Sequence, residues 1–224
     1  MSLSDLREII LQIEERLRKT FSLPKRDQED PIDVLIRTIL SQNTSDANSH
    51  RAFANLKKRF SDWEALINAP LEEIGSAIRC GGISNIKARR IKEILRRIKG
   101  ERGSPSLSFL SDLPLDKARE YLLSLPGVGD KTASCVLLFS FAKPAFPVDT
   151  HINRIVNRLG IFGKNLSPKE ISQLFEANPP PELFLSLHLN LIRLGREICR
   201  PRNPRCNICP LKELCNYYEI RLSS

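Results

Sequence analysis

The sequence predicts an all-α protein. Apolar residues recur at i, i+3 and i+4 along most of its length, strict apolar/polar alternation over strand length is scarce, and capping residues, Pro and Gly separate the periodic segments. Leu6, Ile9, Ile10, Ile13 and Leu17 make the first amphipathic helix. Asp30 then offers an N-cap, and Pro31 a first helical residue whose missing N–H would find no helical partner anyway. The helix they open carries Ile32, Leu35, Ile36, Ile39 and Leu40. A third helix starts near Thr44 or Ser45 and runs to about Phe60, and Ser61 and Glu64 have capping-box spacing ahead of Leu66 and Ile67. Pro70 opens a short helix that Gly81 and Gly82 close; Ile86, Ile91, Ile94, Leu95 and Ile98 line the next one.

Residues 100–114, GERGSPSLSFLSDLP, read as a loop from their Gly, Ser and Pro content. Helices resume at about 115–124 and 130–142, on either side of the turn Leu125-Pro126-Gly127-Val128-Gly129. A Pro-broken link, 143–147, leads to a helix beginning near Asp149 or Thr150. Ser167, Pro168 and Glu170 give another capped start, and the prolines at 179–181 separate that helix from a last long one ending near Cys199. Some ten helices are expected, with no internal repeat.

The 224 residues, 41% of them hydrophobic, suit one domain or two small lobes. Lys and Arg total 35 against 26 acidic residues, a formal charge of +9. That surplus favours a polyanionic partner, because each phosphate neutralised releases counterions, although solubility alone would also account for it. No apolar run approaches the ~20 residues that a bilayer requires, and the N-terminus lacks the apolar core of a signal peptide. A membrane partner is therefore not expected, and the chain reads as cytoplasmic.

Four of the six cysteines, Cys199, Cys206, Cys209 and Cys215, crowd into the tail with the spacing C-x6-C-x2-C-x5-C, whereas Cys80 and Cys135 stand alone. In an intracellular chain such clustering points to metal rather than disulfides. Four thiolates suit zinc or a [4Fe–4S] cube; a single CxxC with wide flanks leans toward the bulkier group and leaves zinc a rival. A cube with a 2+ core and four thiolates is 2−, which lowers the formal +9 to about +7, still basic. Between the first two cysteines lie Arg200, Arg202 and Arg205, stiffened by Pro201 and Pro204. A pinned loop of this kind holds guanidinium groups ready for phosphates; it could equally be a solvated basic loop.

In LPGVGDKTAS, 125–134, Gly127 and Gly129 allow a tight turn with positive φ, and the amides that open the next helix can bind a phosphate. The same pattern also serves as a plain turn between core helices. Lys131 lies in the first turn of that helix, where the positive end of the helix dipole disfavours its charge and enlarges the neutral, nucleophilic fraction. Asp149 opens another helix in Val148-Asp149-Thr150-His151, either as an ordinary N-cap or as a carboxylate kept ionised to stabilise a cation.

Taken jointly, ILSQNTSD (39–46), GGISNIKA (81–88), LPGVGDKTA, PVDTHINRIVNR (147–158) and the cysteine tail resemble the endonuclease III family of DNA glycosylases, in family order and over nearly the whole chain. The resemblance implies two helical lobes: a six-helix barrel with a helix-hairpin-helix at 31–143, and a second lobe of 1–30 with 144–224 that holds a [4Fe–4S] cluster. It implies a monomer that acts on double-stranded damaged DNA, excising oxidised pyrimidines and cleaving the abasic site by β-elimination. By the same resemblance Lys131 is the nucleophile, Asp149 the catalytic carboxylate, Cys199, Cys206, Cys209 and Cys215 the cluster ligands, and Gly127 and Gly129 the phosphate-gripping hairpin. Gln42 or Asn43, together with Ile83, fills the gap left by the flipped base. The sequence departs from the family at Ser84, where an aromatic residue is usual. His151 falls beside the expected lesion pocket and is equally suited to a structural hydrogen bond. A mismatch-specific thymine/uracil glycosylase of the same fold and a noncatalytic DNA-binding module are the competing readings; Lys131 and Asp149 together favour the bifunctional enzyme.

Overall fold

The structure is a computed structural model that describes residues 3–22, 28–161, 163 and 165–222. Among the described residues it is all-helical, with twelve α-helices and no strand. No helix among them is long and apolar enough to cross a membrane. By contacts the chain divides into two units, Gln28–Ala142 and a second formed by Met1–Asp27 with Lys143–Ser224.

In the first of these units α2 (Pro31–Ser41) begins as its sequence dictates, with Asp30 Oδ1 accepting from the amides of Ile32 and Asp33 at 3.0 Å. α3 (Asp46–Arg59) is capped by Ser45. α4 (Trp63–Asn68) starts one residue later than its expected cap: Asp62, not Ser61, accepts from the Ala65 amide at 2.7 Å. A carboxylate is the stronger acceptor there, Ser61 donates to it, and Glu64 pairs with Lys99 instead of closing a box. α5 (Leu71–Ala77) passes through a 3-10 turn at Arg79–Gly81 into α6 (Ser84–Arg102).

α6 departs from its expected pattern in two ways. Ile86 is 57% exposed, and the position after it, Lys87, is fully buried with Ile91, Ile94, Leu95 and Ile98. The helix also runs through 100–102, and Leu107 and Leu110 are buried around a 3-10 turn at Ser108–Ser111, so only part of 100–114 is loop. α7 (Leu115–Ser124) and α8 (Asp130–Phe141) follow. α8 packs on α2 and is buried continuously from Thr132 to Leu138, which makes it the central helix of this unit.

In the other unit α1 (Leu3–Thr20) packs on α11 (Phe184–Glu197), and α11 on α9 (Thr150–Leu159). α10 (Pro168–Ala177) carries the expected capping box of Ser167 and Glu170. Phe146 stacks on Phe175 at 4.5 Å and meets Phe184 edge-on at 5.7 Å, an aromatic core beneath the segment that leads to Asp149. A further helix, α12 (Asn216–Leu222), follows the last cysteine, beyond the point where the helical pattern was expected to end.

Candidate active site and metal centre

Gly127 adopts φ +70, a left-handed conformation that favours glycine, and the flexible end of the Arg90 side chain lies against it. Gly129 differs from expectation: its φ is −102 with extended ψ, and it serves as the N-cap of α8 with open space beside it. No side chain caps α8, which leaves its first-turn amides without a side-chain cap. Lys131 follows in the first turn, half-buried, on a helix whose next seven residues are all buried.

Asp149 is half-buried and realises the ordinary N-cap role, its Oδ1 accepting from the Ile152 amide at 2.8 Å. The segment before it is fastened at three points. Phe146 N donates to Glu176 at 2.8 Å, Ser172 Oγ donates to the Phe146 carbonyl at 2.8 Å, and His188 Nδ1 donates to the Pro147 carbonyl at 2.9 Å. The buried His188 was not singled out by sequence reasoning; a histidine between leucines on an apolar helix face was the available signal. His151 Nδ1 lies 3.1 Å from Arg154 Nη2, which gives it a structural hydrogen bond. Arg154 also donates to the carbonyls of Gly195 and Cys199.

Gln42 and Asn43 have different surroundings. Gln42 is half-buried, and its Oε1 accepts from Arg90 Nη1 at 2.9 Å. Asn43 is exposed at φ +53. Ile83 is 51% exposed and also left-handed, at φ +37, an unusual conformation for a β-branched residue.

Cys199, Cys206, Cys209 and Cys215 line one cavity together with Pro204, Tyr217 and Tyr218. Burial, reinforced by the other three sulfurs, pushes the Cys209 thiol up to about 11, and burial likewise raises Cys215. Burial thus disfavours the bare thiolates of Cys209 and Cys215, and a bound iron–sulfur core would displace their protons directly. Arg158 Nη1 lies 3.4 Å from Cys199 Sγ, a donor suited to a thiolate. Four cysteines lining one cavity supply the four thiolates that an iron–sulfur core requires. Arg200, Arg202 and Arg205 are exposed, on a loop pinned where Arg158 donates to the carbonyls of Arg200 (2.7 Å) and Pro201 (2.9 Å).

Residues 36–181 match the family described as HhH-GPD superfamily base excision DNA repair protein, and residues 199–215, from the first tail cysteine to the last, match the iron-sulfur binding domain of endonuclease III. Endonuclease III of Thermotoga maritima is 38% identical over 211 residues, which cover 93% of this chain and 94% of that protein. The chain belongs to the endonuclease III family. A putative DNA glycosylase of Arabidopsis thaliana is 39% identical over 81% of the chain, which spans 61% of that protein's length. Among solved structures, a trapped endonuclease III–DNA covalent intermediate is similar at 29% identity with a TM-score of 0.81, over 99% of both chains. A thermostable thymine-DNA glycosylase is similar at 27% identity with a TM-score of 0.79, over 97% of this chain and 98% of that one.

As an endonuclease III family member with this tail, the protein carries a [4Fe–4S] cluster. Anaerobically purified protein is expected to be brown, with about four irons and four inorganic sulfides per chain. Replacing Cys80 or Cys135 should leave the colour unchanged. Stoichiometric zinc without iron would overturn the assignment.

Proposed function

We propose that this chain is a bifunctional DNA glycosylase/AP lyase that removes oxidised pyrimidines from duplex DNA and cuts the resulting abasic site by β-elimination. The observation that carries the reading is Lys131, the only basic residue of α8, half-exposed in the first turn of a buried helix directly after the Gly127 hairpin. An amine there lies beside uncapped backbone amides suited to a phosphate, within reach of the sugar between two phosphates.

In this mechanism the α8 amides and Gly127–Val128–Gly129 hold one phosphate, and Arg200, Arg202 and Arg205 hold others. Asn43 and Ile83 enter the gap left by the flipped base, while Gln42, tied to Arg90, braces the turn from behind. The Lys131 lone pair forms a bond to C1′; the glycosidic bond breaks, and the base leaves with the bonding pair and gains a proton. Ring opening and loss of the amine protons give an imine, and removal of a C2′ proton then expels the 3′-phosphate. Asp149, with Oδ1 fixed by the Ile152 amide, offers negative charge to the sugar as its cationic character develops. The cluster, held by Cys199, Cys206, Cys209 and Cys215, supplies a rigid crosslink that fixes the arginine loop.

The likeness to a thymine-DNA glycosylase supports a second reading, excision of thymine or uracil from mismatches. Duplexes with an oxidised pyrimidine, a G·T mismatch, a G·U mismatch or an abasic site separate the two. The oxidised pyrimidine and abasic duplexes should be nicked at least about tenfold faster than G·T, a margin of ~1.4 kcal/mol. Preference for G·T would favour the second reading, and no reaction with any of them would leave only a DNA-binding module.

Two further outcomes follow from the DNA contacts. Binding should weaken steeply with salt, and Arg202→Ala or Arg205→Ala should each reduce the log–log salt slope by about one. An unchanged slope in both would return the loop to a solvated role. Ile83→Gly should weaken binding to abasic duplex, while the backbone strain it relieves, on the order of 1 kcal/mol, is offset by the greater freedom of glycine in the unfolded chain, so that the unfolding midpoint changes little. Unchanged abasic binding would remove Ile83 from the interface.

A further inference from the structure

Lys87 is fully buried, and its Nζ donates to two carbonyls, those of Leu40 and Gly81, each at 2.7 Å. Leu40 lies in the last turn of α2, where carbonyls lack helical partners and a cation is favoured by the dipole. Gly81 ends the 3-10 turn before α6. The two carbonyls stand two residues ahead of Gln42 and of Ile83, respectively. The turns that follow them hold left-handed non-glycine residues, Asn43 at φ +53 and Ile83 at +37, with Gly82 at +68 between the carbonyl of Gly81 and Ile83. They also abut, since a Cβ on Gly82 would lie 3.9 Å from the Asn43 carbonyl. One turn further along α6, Arg90 ties Gln42 to the same helix.

Burying an ammonium is costly, and burial indeed lowers the Lys87 pKa from its ordinary value. An apolar side chain would fill the space at no such cost, but would leave both carbonyls unbridged. Left-handed non-glycine residues persist only where their surroundings over-determine them. We propose that Lys87 is a positioning residue that locks the turns at 42–43 and 82–83 at a fixed spacing, so that they enter a damaged duplex as one preformed wedge. This rests on the DNA-repair reading for its purpose, while the lock itself is a property of the free protein.

The test compares wild-type holoprotein with Lys87→Met on two duplexes, one carrying a tetrahydrofuran abasic analogue and one intact. Wild type should prefer the abasic duplex. Lys87→Met should lose affinity for it by about tenfold or more, the scale of a lost hydrogen bond to a charged group, while intact-duplex affinity and the brown colour stay the same. In an Ile83→Ala background the added loss should largely vanish, because the wedge it positions is already blunted. Equal losses on both duplexes, or full additivity, would overturn the proposal. Amide hydrogen exchange on the free wild type gives an answer even if Lys87→Met does not fold. Segments 41–44 and 81–84 should already be protected and should exchange together. Free exchange of either before DNA binds would overturn the preformed wedge. If wild type shows no abasic preference, the functional reading fails instead, and the exchange result still decides whether the lock exists.

Discussion

Lys131→Gln is expected to abolish borohydride trapping of the protein on abasic DNA and to reduce strand cleavage by more than about a thousandfold, since a primary amide has no lone pair able to form the imine. The effect should be specific to chemistry. Lys131 is half-exposed, so its replacement removes no buried core volume from α8, and the tail cysteines that bind the cluster lie elsewhere in the sequence. Brown colour and abasic-duplex binding should therefore survive within a few-fold. Trapping at wild-type efficiency in Lys131→Gln would mean that another amine attacks the sugar.

Asp149→Asn should slow base release by roughly 10²–10⁴-fold, the range associated with losing a positioned catalytic group. The amide oxygen can still accept from the Ile152 amide, so the α9 N-cap and the fold are retained. What is lost is negative charge at the sugar. The variant should accordingly fail at the step with greatest cationic character, while its binding of an abasic analogue changes little. A matching loss of stability and activity would instead reduce Asp149 to its capping role, which Asp149→Ala can test independently, at a cost of about 1 kcal/mol.

Local signals made most of the helices legible in the sequence. Asp30 with Pro31, Ser45, Asp149 and the Ser167–Glu170 pair each act within three residues of themselves; the first and last cap the helices they were expected to cap, and Ser45 and Asp149 cap helices whose starts were expected near Thr44 or Ser45 and near Asp149 or Thr150. Ser61 misled because two acceptors, Ser61 and Asp62, compete at adjacent positions and the charged one prevails. The stretch 100–114 misled because Gly100 is tolerated inside a helix whose buried face continues through Ile98, and because Leu107 and Leu110 still reach the core. Gly129 looked like Gly127 in sequence, yet only Gly127 has positive φ.

What the sequence concealed is long-range. Lys87 finds Leu40, 47 residues away; Arg90 finds Gln42, 48 away; His188 finds Pro147, 41 away; and Arg154 finds Cys199, 45 away. Each polar side chain sits on a helix whose periodicity explains only its apolar neighbours. The strain at Ile83 was hidden too, because a Gly-Gly pair announces a turn without revealing that the left-handed region extends to the isoleucine after it.

On the mechanism proposed, one chain both releases the base and cleaves the strand. The most direct measurement is a single-turnover time course on a duplex carrying one oxidised pyrimidine, with free base and nicked strand quantified from the same samples at excess protein. The mechanism proposed for Lys131 and Asp149 predicts that both products appear, that the nicked strand bears the unsaturated aldehyde of β-elimination, and that borohydride converts the intermediate into a covalent protein–DNA adduct. Base release that leaves the strand intact until alkali is added, with no adduct, would contradict it.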